Sequence, residues 1–552
     1  MGMVITMVLT NRPRTQYVLK QVTLVVSAMA LLLLTGNSAK AEVKVEPKIS
    51  ANSYAYWYQE QQLGSSTDRG MALVLTPEIR ISRTGPSVKT SLFWQEEAVW
   101  YHDAQRSQQS APTYKASNIV SAFNQRVTWE LNAAGGYQIR DTQQGVYADI
   151  VTSPENLAKT KNYGTNLNFT TLKGGQTQAN LSLAYNVFKS DGSISGQYDG
   201  YSNDSYRGRL NLGSASRTGA FFWQLSGNYN LTERESFDNF ESGQANGILG
   251  LPLHSNLSLL LRTGYERNEG STTYLNEFTS YGAGIELKLG RASWLNVTWN
   301  KSNLSNGAVD MLELDAIDDE YLAGEIYLAP SRRTSLSFSI DKRYFGRTRT
   351  LNASYNLRFI SIRVAANDTV RTQTQLGEAF EDLGIFVCPD GSTDLADCFR
   401  PPTNRYIPGT GESFQQAGHF VPELSERIVL SRNILLAIGY TKNKLSLNIS
   451  ASTGEDEYVE TQRLTKRHNL TMQGLWKLYS DLTLNTEANF YRLEYTDDDR
   501  TDENMSAVVG LTYSISQKTD LKVDARHTRR DSNIDSLDIS ETRLGLGITY
   551  SF

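Results

Sequence analysis

The chain closes on Glu541-Thr-Arg-Leu-Gly-Leu-Gly-Ile-Thr-Tyr-Ser-Phe552. Successive side chains of a strand point to opposite faces. Leu544, Leu546, Ile548, Tyr550 and Phe552 therefore share one face, and Arg543, Gly545, Gly547, Thr549 and Ser551 share the other. One apolar face backed by one polar face suits a strand between lipid and a watery lumen. The last strand of a soluble β-sandwich would show the same alternation, so the neighbouring sequence has to choose between the two.

From Val45 onward one cadence repeats. A run of roughly 9–14 residues alternates apolar and polar, then breaks. Clear outward faces are Ala179-Leu181-Leu183-Tyr185-Val187, Leu351-Ala353-Tyr355-Leu357-Phe359 and Met505-Ala507-Val509-Leu511-Tyr513. Their opposite faces are small or polar, as in Asn180, Ser182, Ala184 and Asn186. No helical period persists, so the chain is all-β. The breaks alternate in kind. Short turns fall at Arg83–Pro86, Ala133–Gly135, Lys173–Gly175, His254–Asn256, Pro330–Arg332, Lys442–Lys444 and Gln517–Lys518. Longer polar segments lie between them, among them Gln59–Gly70, His102–Ala116, Thr142–Asn162, Ser302–Asp318 and the very long Thr372–Leu424. This asymmetry predicts a transmembrane antiparallel up-and-down β-barrel with short periplasmic turns and long extracellular loops. The count is about 24 strands, or 20–22 if a hairpin is merged, the least regular runs being Lys48–Tyr58 and Gly136–Arg140. Strand-like sequence begins a few residues after position 42, which leaves no room for a plug domain ahead of the barrel.

Composition agrees. Lys and Arg total 54 against 59 Asp and Glu, so no nucleic-acid partner is implied. Tyr is frequent at 29 and Pro scarce at 13, which favours strands and aromatic girdles. Residues 1–41 read as a secretory signal peptide, with Arg12, Arg14 and Lys20, an apolar core from Val22 to Leu34, and Ala39-Lys40-Ala41 before cleavage at Glu42. Residues 42–552 form the barrel domain, and its expected location is the bacterial outer membrane. The two cysteines, Cys388 and Cys398, meet an oxidising compartment and are expected to form a disulfide within Thr372–Leu424. That segment reads either as protease protection or as a lid or constriction.

Catalytic patterns are poor. His102, His254, His419, His468 and His527 have no metal-ligand spacing, and no Ser–His pair stands out, so neither an enzyme nor a cofactor or metal is expected. His468 and His527 head faces expected to meet lipid near an interface. The acidic runs Asp318–Glu320 and Asp497–Asp499 fall in outer loops, as solvated faces or as cation bridges to lipopolysaccharide phosphates. Lumen-facing positions are rich in Asn, Ser, Thr and Gln, with Arg262, Arg358, Arg363, Arg526 and Arg543 as candidates for a constriction.

A terminal Phe two residues after a Tyr resembles the end of bacterial outer-membrane barrels. The resemblance implies that Tyr550 and Phe552 are read by the barrel-assembly machinery. The stretch Leu328-Ala-Pro-Ser-Arg-Arg-Thr-Ser-Leu-Ser-Phe-Ser-Ile-Asp-Lys-Arg-Tyr-Phe-Gly346, with Thr350–Arg358 and Asn367–Val370, resembles the outer-membrane protein family associated with the PEP-CTERM/exosortase system. It implies exopolysaccharide or biofilm loci, where a passive conduit would work with polysaccharide export proteins amid outer-membrane lipid and lipopolysaccharide. A non-transporting anchor for glycan or surface protein and a general diffusion porin are the alternatives. The acidic cysteine loop has no counterpart in that family.

Overall fold

The computed structural model describes residues 42–552 apart from 61–67, 104–105, 139–148, 155–156, 172–175, 194–200, 215–219, 236–237, 272–273, 291–292, 308–315, 332, 390–411, 459–462, 497–498 and 535–536. The signal-peptide reading of residues 1–41 lies outside the described residues.

The described chain builds 24 strands, β1 (Glu42–Glu60) to β24 (Ile539–Ser551), in one antiparallel sheet. Each strand pairs with its sequence neighbours, and β1 pairs with β24 from Lys48↔Ser551 to Glu60↔Ile539, which closes the barrel. The alternation read from the terminal strand holds. Leu544, Leu546 and Ile548 stand exposed on the outside, while Glu541 and Arg543 are buried inside. Exposed aromatics gather near the short turns, including Trp129, Phe169, Trp476, Tyr513 and Tyr550, the level at which amphipathic rings mark a membrane interface. No described helix is long and apolar enough to cross a membrane.

One short turn sits elsewhere than its glycine indicated. β5 (Val127–Gln138) runs straight through Ala133–Gly135, and the turn before it is Phe123-Asn124-Gln125, with φ of 52°, 57° and 65°. Gly135 serves a different need, because a Cβ there would collide with the ring of Tyr114 on β4 (Gln109–Ala122). Close packing of a tyrosine, not chain reversal, accounts for that glycine.

The polar segments also carry more strand than their composition implied. Arg432–Glu455 at 3.8 Å and Arg492–Glu503 at 3.4 Å are cross-strand ion pairs in stretches beyond the apolar belt. Outside the hydrocarbon layer an outward face can be charged and still pair as sheet. The longest case is β17 (Ile360–Pro389) with β18 (Glu412–Lys442). Its register continues to Pro389↔Glu412, so much of the Thr372–Leu424 segment is an antiparallel ribbon rather than irregular loop.

Twenty-four strands spaced about 4.8 Å apart enclose more lumen than side chains alone can fill. The wall is not round, however. Gly282 and Gly284 on β12 (Tyr274–Lys288) face inward, and a Cβ at either would strike the carbonyls of Trp299 and Val297 on β13 (Trp294–Gly307). Glycines at these positions let the sheet bend sharply. The bend brings β11 (Leu257–Ser271) and β15 (Thr334–Arg343) together, four strand spacings or roughly 19 Å apart along the wall. Arg262 pairs with Asp341 and Arg343 with Glu266 across the fold. Inside it Phe278, Tyr321 and Ala323 pack with Leu304 and Tyr344.

Candidate functional site

A segment between strands projects into the lumen. Beyond β5, residues Asp149–Pro154 fold inward and reach β6 (Ala158–Thr170) through Leu157. Ile150, Val151, Leu157 and Ala158 bury their apolar groups against Tyr56, Tyr58, Ala72, Val74, Val99 and Ala111, with Ile539 closing the cluster. The wall partners come from β1, β2 (Asp68–Thr84), β3 (Val88–Tyr101), β4 and β24. These strands carry small or aromatic residues on their inner faces here, where a purely water-lined wall would carry polar ones.

Backbone polarity is met locally. Asp149 and Ser153 exchange backbone hydrogen bonds of 2.9 and 3.3 Å, and the Asp149 carboxylate accepts from the Val151 amide at 2.8 Å. The Tyr101 hydroxyl lies 3.0 and 2.9 Å from the carbonyls of Ile150 and Val151, and Ser153 Oγ donates to the Tyr58 hydroxyl at 3.0 Å. Arg106 donates to the Val151 carbonyl at 3.0 Å, pairs with Asp68 and lies over the rings of Tyr56 and Tyr101.

Asp149 is the latch. Its two carboxylate oxygens meet Arg543 at 2.6 Å and Arg526, on β23 (Thr519–Ser532), at 3.3 Å. Arg543 is held in turn by Glu541 at 2.5 Å, and its guanidinium lies 5.4 Å from the Tyr54 ring centroid. Burial works against a charge on Asp149, yet Arg543 and Arg526, with the Val151 amide, hold its carboxyl below the ordinary carboxylate range. Removing one partner of a buried ion pair leaves the other charge uncompensated. The inserted segment is therefore pinned by charge as well as by apolar packing.

The structure thus brings Arg526 and Arg543 together on one acidic residue. Arg262 sits in the β11–β15 fold, bound to Asp341. Arg363 lies on β17, opposite Ser354 of β16 (Gly346–Asn356) and Ala437 of β18. Arg358 is not on the lumen wall: β16 ends at Asn356, and Arg358 stands in the following turn with its guanidinium 5.0 Å from the Phe359 ring centroid. Cys388 stands one pair before the end of the β17 register, opposite Ser413, and Cys398 lies outside the described residues, so their pairing lies there too. Tyr550 and Phe552 point outward as an edge-to-face pair at 4.9 Å.

Other expectations resolve singly. Asp318 meets Asn303 at 2.9 Å and Lys301 at 3.7 Å, Asp319 meets Lys342 at 2.5 Å, and Glu320 accepts from the Trp299 indole at 3.2 Å. Each acid has its own partner, and among the described residues no cluster of metal-ligating side chains forms. His468 and His527 lie on outward faces, each ring 2.9 Å from a threonine hydroxyl on the next strand, Thr453 and Thr542. The Lys342-Arg343-Tyr344-Phe345-Gly346 motif is a tight hairpin turn with φ of 110° at Gly346.

The Asp149 segment itself has no sequence signature. It lies within a polar stretch whose Ile150-Val151 pair is the one hint of burial.

Comparison with known proteins gives one family match. Residues 441–552 match the family described as "Putative beta-barrel porin 2", in the last third of the chain rather than in the Leu328–Val370 region. No curated protein matches. Similar solved structures include the siderophore receptor PirA from Acinetobacter baumannii, at 9% identity over 93% of this chain and 81% of that one, with a TM-score of 0.40. The siderophore receptor PiuA from the same organism is 8% identical over 93% and 82%, with a TM-score of 0.40. The FrpB iron transporter from Neisseria meningitidis is 9% identical over 92% and 81%, with a TM-score of 0.42.

Proposed function

We propose that this outer-membrane, porin-like β-barrel is a passive conduit, in exopolysaccharide or surface-protein export, whose bore is set by its own inserted segment. The observation that carries the reading is a closed 24-stranded wall around a lumen constricted from one side by Asp149–Pro154. On this reading water passes beside the constriction, since the perimeter of 24 strands exceeds what wall side chains alone can fill. The role needs no chemistry, only a polar wall and a fixed aperture. Outer-membrane lipid, lipopolysaccharide and the barrel-assembly machinery are its proposed surroundings, and polysaccharide export proteins its proposed partners.

A second reading is supported by the same segment and by the ion-paired fold of β11–β15. Both fill lumen, as expected of a barrel that anchors polymer or protein at the surface and transports nothing. Purified protein in planar bilayers separates the two. Large, stable conductance steps are expected for the conduit, and a silent bilayer overturns it in favour of the anchor. In cells, deletion of the gene should trap polymer in the periplasm, and normal surface polymer would remove the export role.

A further inference from the structure

The inner face of β6, β7 (Thr177–Ser193), β8 (Tyr201–Ser214), β9 (Phe222–Arg234) and β10 (Phe240–His254) differs from the rest of the lumen. Pairing places Asn168, Ser182, Arg209, Asn228 and Gln244 in one row across the five strands. The next row toward the short turns is Thr170, Asn180, Asn211, Ser226 and Asn246. On the other side lie Ala184, Arg207, Asn230 and Ser242. At the described positions this face holds no carboxylate: Asp204, Glu233 and Glu241 all stand on the outer face, beside Tyr185, Tyr206 and Leu231.

Arg207 and Arg209 are both exposed, two residues apart on the same face. Neither has a hydrogen-bond or ion-pair partner among the described residues. This contrasts with Arg262, Arg343, Arg526 and Arg543, each bound to a carboxylate. Two unmatched guanidiniums on a concave, low-dielectric wall focus positive potential into the lumen. Below them, toward the short turns, a cavity of about 650 Å³ opens between Thr170, Gln178, Asn180, Asn211, Gln224 and Ile248. Its side-chain amides and hydroxyl both donate and accept, and none of its described lining residues is charged.

We propose that the inner face of β6–β10 is a binding track for an acidic oligosaccharide. Arg207 and Arg209 take its carboxylates, and the amides of Asn180, Asn211, Gln224 and Asn228 take its hydroxyls. A planar guanidinium matches a sugar carboxylate in two-point geometry, while amides suit the mixed donor and acceptor pattern of a polyol. The neutral cavity holds the uncharged part of the chain while the arginines set its sign. The track deepens the conduit reading, because it rests on solute reaching the lumen.

The test uses full-length barrel in detergent micelles and a fluorescently labelled hexameric uronate, with a neutral hexasaccharide of the same size as comparison. Fluorescence anisotropy at low salt should show uronate binding that weakens tenfold or more in the Arg207→Gln/Arg209→Gln variant and that falls steeply with added salt. Heat-modifiable migration checks that the variant is folded. Equal binding by the neutral sugar, or uronate binding unchanged in the double variant, would overturn the proposal. Binding is measured without passage, so its failure is separate from that of the conduit. A barrel that binds uronate but conducts nothing defeats the conduit alone, and a conducting barrel that ignores uronate defeats the track alone.

Discussion

Asp149→Asn keeps the shape of the side chain but strands Arg526 and Arg543 facing a neutral amide. Breaking a buried pair from one side costs about 3–5 kcal/mol, and here the loss falls on the inserted segment rather than on the sheet. Asp149→Asn should therefore raise single-channel conductance while leaving the folded fraction on gels unchanged; equal conductance would show that apolar packing alone holds the segment. The pH dependence follows from the same contacts. The Asp149 carboxyl is lowered from an ordinary 3.8, burial being outweighed by Arg543 and Arg526. A lowered carboxylate stabilises the folded arrangement fully above its ordinary pKa and stops doing so only as pH falls through the lowered one. Conductance governed by this latch should be flat from pH 8 to pH 5 and rise only below about pH 4. A step near pH 6 would point to another group. Arg526 and Arg543 were legible from alternation alone as inward residues. Their partner was not, because a carboxylate in a polar stretch looks like any solvated loop acid until the chain is seen to turn inward. Arg207 and Arg209 obey the same alternation, and their distinction, the lack of an acid on any neighbouring inner face, exists only once five strands are placed side by side.

At the scale of the element, period-2 patterning carried most of the fold. It failed where glycine had two possible uses. Gly135 marked a turn by composition but sits mid-strand under Tyr114, while the real turn at Phe123–Gln125 contains no glycine. Strand ends were also underestimated, since charged cross-strand pairs such as Arg492–Glu503 carry the sheet past the apolar belt. The β11–β15 fold gives a test of a glycine that truly shapes an element. A valine at Gly284 would drive its side chain into the Val297 carbonyl on β13. Gly284→Val is expected to flatten the bend, separate Arg262 from Asp341 and cost about 1–3 kcal/mol as overpacking. The measurement is the temperature of the folded-to-unfolded gel transition, with Ala283→Val, on the opposite face, as the comparison. Equal transition temperatures for the two variants would mean that the bend does not depend on Gly284.

Across the whole molecule, no single contact holds the barrel, because each strand is hydrogen-bonded on both sides. Phe552 shows the consequence. Its ring is mostly exposed at the outer rim, and its amide donates to the Pro47 carbonyl at 3.1 Å. Interfacial burial of such a ring is worth at most about 2–3 kcal/mol, little against so many closed pairs. Deleting Phe552 should lower the amount of folded protein in the membrane while leaving surviving barrels with the same melting transition. Unchanged yield with a lower transition would make Phe552 a stability residue and not an assembly signal. The seam itself sets a condition on time. Ser50 and Thr549, hydrogen-bonded at 3.0 Å, lie 499 residues apart in the chain. Closing a loop of that length directly costs roughly 5–6 kcal/mol in chain entropy, so the two ends meet cheaply only after neighbouring hairpins have zipped and drawn them together. β1, made before the other described strands, therefore waits longest for its second neighbour. A polypeptide released even one strand early keeps two bare edges, and its fate is then decided by how quickly proteases reach it before other chains do.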